Sequence, residues 1–342
     1  MARIVLVGNM KATENAFVPL SHELARRGHS VVTHLYSRDA GTIVRECEKA
    51  DLVCTGMASS DELAFPELLA CGCGICARLP VALYADLPGS WRRPHFQSLM
   101  PMVNCLFVTN ELTAMAVRGK YGSLLHIVAS GNPEFEGFFS PKFTREEVRS
   151  RLGIGDESLI FAPGGKSVGV NTIHWQAAIE AAIRLGRKIQ VVLGLHPRDP
   201  EGKDGYSALE SLAQNSGVQV RFLQGLSSSE LLPGIDLMVS SASTLDYEAA
   251  CLRIPVITFF SKEALERRKK DTGETSWEPC ESGISHEIKD SPPEVLANAM
   301  KELLENPETM QKLQEEVYPK PPAKGAAVRI MAEYLAKLGA GA

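Results

Sequence analysis

The sequence predicts an α/β protein with two domains, each a parallel sheet covered on both faces by helices. Three observations lead there. Short apolar runs alternate with amphipathic, helix-periodic runs over residues 3–130. A segment rich in glycine, proline and aromatics, "GNPEFEGFFSPKF" (131–143), interrupts the alternation. A second series of similar size follows it, and 342 residues suffice for two cores. Tandem βα units fold as parallel sheets, because each crossover helix brings the chain back to the same sheet edge.

The elements justify this in order. "RIVLVG" (3–8) reads as a buried strand, and "FVPLSHELARRGH" (17–29) as a helix stopped at Gly28. "SVVTHLY" (30–36) is the next strand, "AGTIVRECEKA" a helix, and "DLVCTG" (51–56) a strand. "DELAFPELLA" (61–70) is helical with a disturbance expected at Pro66. "PVALYAD" (80–86), "CLFVTN" (105–110) and "LLHIVAS" (124–130) are strands separated by the helical "FQSLMPMV" and "ELTAMAVRGKYG". After the break, Thr144 and Glu147 have capping-box spacing at the start of "TREEVRSRLGI". The strands "SLIFAPGG" (158–165), "KIQVVLGLHP" (188–197), "VQVRFLQG", "DLMVSS" and "IPVITFF" then alternate with helices, and the tail is helical. The expected boundaries are 1–139, 140–320, and a closing helix in 321–342 that can return to the first domain.

Composition excludes several classes. A net charge of -5 argues against broad attraction to nucleic acid, and the run "EALERRKKD" (263–271) mixes signs like a solvated face. The opening "MARIVLVGN" lacks the apolar core of a signal peptide, and no run reaches the roughly 18–20 apolar residues of a membrane span. The expectation is a cytoplasmic protein. Eight cysteines without secretory features are expected to be free thiols. "CGCGICA" (71–77) offers C-x-C-x-x-C and G-x-G-x-x-A, but it lacks a fourth metal ligand and does not follow a strand. Buried inert cysteines are the first reading, with metal or redox use behind it.

Candidate sites gather at turns where strands hand over to helices, the edge at which open α/β sheets bind ligands. In "SSASTLDYEAACLRIPVI" (240–257), small and hydroxylated residues fill such a turn. Ser243 or Thr244 can serve as a helix N-cap. Ser241, Ser243 and Thr244 can instead receive a diphosphate at the helix end, with Glu248 one turn on to bind ribose hydroxyls. One cap needs one such residue, which favours the ligand. In "FAPGGKS" (161–167), Ile160 stands where a P-loop needs glycine, so Gly164, Gly165 and Lys166 form a flexible turn rather than a nucleotide-hydrolase loop. Lys166 can face a phosphate or solvent. "LGLHPRDP" (193–200) sets His196 and Arg198 at the same edge, for hydrogen bonding or acid chemistry and for phosphate clamping. Asn9, in the turn after the first strand, faces the ligand edge of domain one, with Lys11 and Glu14 close by. Asp86, ending "PVALYAD", is the candidate general base, although a capping carboxylate would look the same.

Four stretches together resemble a known superfamily. "GNMKATENAFVPLSHELARRG", "SGNPEFEGFF", "VVLGLHPRDP" and "SSASTLDYEAACLRIPVI" are similar, in order, to four motifs of the non-hydrolysing UDP-N-acetylglucosamine 2-epimerases. These are the first loop and helix, a T-G-N-P connection, H-P-N-P, and D-S-G-G-x-x-x-E-A-x-x-x-G-x-P-V. That branch sits within the GT-B glycosyltransferases. The resemblance implies two Rossmann-like βα domains facing a cleft, with Ser243 and Thr244 at the diphosphate and Glu248 at the ribose. Motion about residues 131–142 would close the cleft. The departures bear on activity. Met57 stands at the acid of G-D-T, Ala85 at the Glu of H-V-E-A-G, and "PGGKSVGVN" replaces H-R-R-E-N.

The expected function is therefore a GT-B glycosyltransferase that moves a sugar from a nucleoside diphosphate donor, UDP foremost, to an unknown acceptor. No D-x-D motif appears, so no metal is expected and no cofactor beyond the donor substrate. Catalytic roles fall to Asp86 and His196. The alternatives are an epimerase-like enzyme or nucleotide-sugar hydrolase, and a nonenzymatic nucleotide-sugar binder. A peripheral membrane contact and a homodimer are both compatible with the sequence.

Overall fold

A computed structural model describes residues 1–165, 167–196, 199–200, 202–214, 216–272 and 275–341. Twelve strands and sixteen α-helices alternate among these residues. The first half runs β1 (Arg3–Gly8), α1 (Lys11–Arg26), β2 (Ser30–Leu35), α2 (Ala40–Cys47), β3 (Leu52–Thr55), α3 (Asp61–Cys76), β4 (Val81–Tyr84), α4 (Pro94–Gln97), β5 (Cys105–Val108), α5 (Glu111–Tyr121), β6 (His126–Ala129) and α6 (Pro133–Phe138). The second runs α7 (Arg145–Leu152), β7 (Ser158–Pro163), α8 (Val168–Arg184), β8 (Ile189–Gly194), α9 (Ser207–Leu212), β9 (Val218–Phe222), α10 (Ser228–Leu231), β10 (Leu237–Ser240), α11 (Leu245–Cys251), β11 (Val256–Phe260), α12 (Lys262–Thr272), α13 (Glu278–Glu281), β12 (His286–Lys289), α14 (Pro293–Glu305), α15 (Glu308–Val317) and α16 (Ala326–Gly339).

Two all-parallel sheets result, ordered β2-β1-β3-β4-β5-β6 and β12-β11-β10-β7-β8-β9. Their central strands β3, β4, β5 and β10 are buried throughout, as continuous apolar runs covered on both faces must be. The edge strand β2 is only half-buried and reads "SVVTHL", with polar positions. The chain divides into two compact units. Residues 1–137 and 321–342 form the N-terminal unit, and 138–320 the C-terminal unit. Helix α16 completes the first, packing Val328, Met331, Ala332 and Leu335 among Phe17, Leu20 and Leu24 of α1. The Glu136 carboxylate holds the start of α16 by accepting the N–H groups of Gly325 and Ala327, the latter at 2.6 Å. The predicted capping box opens α7, with Thr144 Oγ1 accepting from Glu147 N and Glu147 Oε2 from Thr144 N.

Local boundaries differ from expectation in three places. Helix α1 starts at Lys11, six residues early, because Phe17, Leu20 and Leu24 supply a buried stripe and Pro19 on the outer side does not stop it. Helix α3 runs through Pro66 to Cys76, so the cysteine cluster is helical. At about 100° per residue the three thiols point apart: Cys71 is buried, Cys73 half-buried and Cys76 exposed. Gly74 is there for packing, since a Cβ would lie 2.7 Å from Val81. The interdomain segment carries its own short helix, α6.

Candidate functional site

In the C-terminal unit the strand order reverses between β10 and β7, which is where a doubly wound sheet opens a crevice. A cavity of about 210 Å³ lies there. Gly165, Asn171, Ser241, Ala242, Arg267 and Arg268 line it, with Phe260 beneath. The structure thus brings together two predicted residues, Gly165 and Ser241, from separate turns. Gly164 has a packing role. A Cβ there would sit 2.5 Å from the Trp175 ring and 3.0 Å from the Gly194 carbonyl. At Gly165 a Cβ would meet nothing closer than Asn171 Oδ1 at 3.9 Å, so this glycine borders the cavity without being required by packing.

The turn is held by Asn171, a buried residue that the sequence pattern did not single out. Its Oδ1 accepts from Gly165 N at 2.7 Å and its Nδ2 donates to Gly165 O at 2.9 Å. The same Nδ2 donates to Asp199 Oδ2 at 3.0 Å, and Asp199 N donates to His196 O at 2.9 Å. Asn171 therefore links the turn after β7 to the segment carrying His196. Any asparagine opening a helix could have made this link, so no sequence signal marked it. Lys166 and Arg198 lie outside the described residues.

The turn after β10 is tighter than a plain helix start. Ala242 has φ +58°, a left-handed conformation that costs a residue with a Cβ about 1 kcal/mol or more. Ser243 Oγ accepts from Leu245 N at 3.3 Å, while Thr244 is exposed and makes no cap hydrogen bond. Helix α11 has only seven residues, so its dipole is small. Glu248 is 8% exposed and accepts from Ser229 Oγ at 2.8 Å, which sets it against α10.

Arg267 and Arg268 are the charged groups that the sequence pattern did not reveal. Both sit in "EALERRKKD", read as a solvated face. Residues 262–272 do form a polar surface helix, but its arginines turn to the cavity wall.

The N-terminal unit has its own switch point, between β1 and β3. There Asn9 is buried and its side chain is engaged, with Nδ2 donating to Leu63 O at 2.7 Å. Its backbone N–H donates to Glu67 Oε1 at 3.1 Å, and Ala58 N donates to Glu67 Oε2 at 2.6 Å. Glu67, projecting from α3, is fully buried, and burial pushes its carboxyl up to about 7. Gly56 makes the room, since a Cβ there would lie 2.6 Å from Glu67 Oε1. Asp86 is 2% exposed. Its Oδ1 accepts from Ser90 Oγ at 2.6 Å and lies 3.2 Å from Arg93 Nη1, a close ion pair without hydrogen-bond alignment. Asn132 Nδ2 donates to the Asp86 carbonyl at 2.7 Å, so the G-N-P connection braces this acid. Glu134 accepts from Asn15 at 3.3 Å, and burial raises its carboxyl, with the charge of Asp86 adding to it. Glu67, Arg93 and Glu134 carried no mark in the sequence. Among the described residues no group of three or more His, Cys, Asp or Glu side chains is placed to hold a metal ion, and no helix is long and apolar enough to cross a membrane.

No protein-family model and no curated protein matches the chain. Solved structures match over nearly all of it. A UDP-GlcNAc 2-epimerase from Neisseria meningitidis, bound to UDP-GlcNAc, aligns over 98% of this chain and 100% of its own, with 14% identity and a TM-score of 0.63. A glycosyltransferase from Rickettsia africae aligns over 98% of both chains, with 12% identity and a TM-score of 0.60. HepE of Anabaena, in complex with UDP, gives 98% and 100%, 12% and 0.60. The fold is GT-B. At these identities the likeness is one of architecture. Within a GT-B fold, the second unit's switch point carries the cation-lined cavity and the first unit's carries the buried acids.

Proposed function

We propose that this GT-B chain is a glycosyltransferase that takes a sugar from a nucleoside diphosphate donor, UDP first among candidates. The observation that carries the reading is the cavity at the β10/β7 switch point. Two arginines and small side chains converge there, a combination suited to a diphosphate. That the fold is shared with proteins solved with UDP supports uridine as the first base to test. Glu248, held by Ser229, is the proposed ribose acceptor, and His196, Ser243 and Thr244 are proposed to border the donor.

In the reaction the bond from the sugar's anomeric carbon to the phosphate oxygen breaks, and the nucleoside diphosphate leaves with that electron pair. The acceptor oxygen forms the new bond and its proton passes to a base. Asp86, oriented by Ser90, Arg93 and Asn132, is the proposed base, with the charge of the less buried Glu134 acting on the same region. The arginines neutralise the leaving diphosphate as charge develops on it.

One observation favours a second reading, proton transfer at a sugar carbon as in an epimerase. Met57 is buried where the resemblance expects an acid, yet α3 delivers Glu67 to the adjoining Ala58 N–H, with a carboxyl near neutrality. Both Glu67 oxygens are engaged by backbone N–H groups and none of its surface is exposed, so it suits bracing better than substrate contact.

A thermal-shift series with uridine, guanosine, cytidine, thymidine and adenosine diphosphates tests the donor claim. UDP is expected to raise the melting temperature by several degrees. No shift with any of them sinks the proposal. Incubating UDP-sugars without acceptor separates the two readings, because an epimer as product replaces the transferase with the epimerase.

A further inference from the structure

We infer that Asp246 and Trp277 form a positioning relay that holds Arg268 against the diphosphate in the β10/β7 cavity. The inference rests on the donor site proposed above and adds the device that prepares it. Arg268 lines the cavity beside Ser241 and Ala242. Its guanidinium carbon lies 4.9 Å from the centroid of the Trp277 ring, and its Nε donates to the Ser276 carbonyl at 2.6 Å. The stacking fixes the plane of the fork and the hydrogen bond fixes its rotation.

Trp277 is held in turn. Its indole N–H donates to Asp246 Oδ2 at 2.7 Å, and Tyr247 packs against its ring with centroids 5.8 Å apart. Asp246 is fully buried in the first turn of α11, and Thr258 Oγ1 also donates to its Oδ2 at 3.2 Å. Thr258 and Ser285 share a hydrogen bond of 2.6 Å, tying the carboxylate to β11 and to the residue that leads into β12. A lone carboxylate is expensive to bury, and burial pushes this one up to about 7. Its hydrogen bonds from Trp277 and Thr258 offset part of that cost.

One buried group thus refers two cavity walls to each other. Asp246 follows the 241–244 turn closely in the chain, and through Trp277 it also sets Arg268 on α12. An arginine so constrained has less rotamer freedom left to lose when an anion binds. The surface helix that carries it is held at its start, where Ala264 is buried and its N–H donates to Ser261 Oγ at 3.2 Å. Its sequence, "KEALERRKKDT", is among the most polar in the protein.

The experiment titrates the full chain with UDP and, separately, with inorganic pyrophosphate, following tryptophan fluorescence and calorimetric affinity. The three tryptophans are Trp91, Trp175 and Trp277. Trp91 is buried in the N-terminal unit and Trp175 is fully buried under Gly164, so Trp277, half-buried and set against Arg268, is expected to carry most of the signal. Both ligands should change the fluorescence, and Trp277→Phe should remove most of the change, leaving at most the part carried by Trp175. Arg268→Ala should weaken both ligands about tenfold or more, and Arg268→Lys should not restore them, because an ammonium cannot reproduce the stacked fork. Asp246→Asn and Trp277→Phe should each weaken binding, and neither should weaken it further once Arg268 is alanine. That non-additivity separates positioning from general support of the fold. If the wild type binds UDP and Arg268→Ala binds it equally well, the relay is wrong and the donor site stands. Additive losses in the double variants also overturn the relay. If the wild type binds neither ligand, relay and donor site fall together. Should Asp246→Asn not fold, Trp277→Phe carries the test alone.

Discussion

At the ligand edge of the N-terminal sheet, three acids, Glu67, Asp86 and Glu134, sit with one arginine, Arg93. At the matching edge of the C-terminal sheet, two arginines line a cavity walled by glycine, serine and alanine. Each sheet has a switch point where its strand order reverses. The difference lies in where the polar groups point. Glu67 turns both oxygens to backbone N–H groups of its own unit, so it braces loops. Gly165 and the side chains of Ser241, Arg267 and Arg268 border a cavity instead. An edge whose polar groups are spent internally is built for stability and proton chemistry, whereas an edge with polar groups around a cavity is built to receive a ligand.

Four experiments sharpen or break this contrast. The largest effect is expected for Glu67→Ala, which strands two buried N–H groups, those of Asn9 and Ala58. A loss of about 3 kcal/mol is expected in denaturant unfolding. A loss below about 0.5 kcal/mol, the level of an ordinary surface change, would erase the assigned bracing role.

Next is a pH effect of similar size. Burial raises the folded carboxyl of Glu67 to about 7, above the ordinary 4.5. Between those values the folded state binds more protons than the unfolded one, so stability falls as pH rises from about 4.5 to 7. The shift corresponds to about 3 kcal/mol across that window. Glu67→Gln should lower the slope, leaving the part that Asp246 contributes, while Ser241→Ala at the other edge should leave it intact. An unchanged slope in the glutamine variant would assign the pH dependence to other groups, Asp246 first among them, since its carboxyl is raised to about 7 as well.

A smaller effect is expected at the second edge. Glu248→Ala should weaken UDP about tenfold, or about 1.4 kcal/mol, with the fold intact. Calorimetry showing unchanged affinity removes Glu248 from the donor site. The smallest is Ala242→Gly. It relieves the left-handed strain at φ +58° but adds unfolded-state freedom, so the net change should stay within about 1 kcal/mol and favour the variant. A clear destabilisation would mean that the Ala242 methyl packs more than it strains.

Much of the fold was legible in the chain. Periodicity placed the strands, and Thr144 with Glu147 marked the start of α7 correctly. The site was legible only in part. Ser241 and Gly165, which line the cavity, stood out because small residues at a strand-to-helix turn exceed what capping a helix requires. Arg267 and Arg268 did not, because a run of mixed charges looks the same whether its helix faces water or a cavity. Glu67 did not, because an acid within "DELAFPELLA" is ordinary on the outside of a helix and shows its burial only once α3 is packed.

By itself the sequence determined two parallel βα sheets and the turns at which they could bind, since short apolar runs and runs of helical period are local properties. Tertiary structure alone decided which side chains meet. Strand order set β10 beside β7, and so Ser241 beside Gly165, while helix packing turned Arg268 toward Trp277 and Glu67 toward Asn9. Asn9 and Glu67 stand 58 positions apart, and Ser241 and Gly165 lie farther apart still. Such pairings depend on burying whole faces at once, which no local window of sequence records.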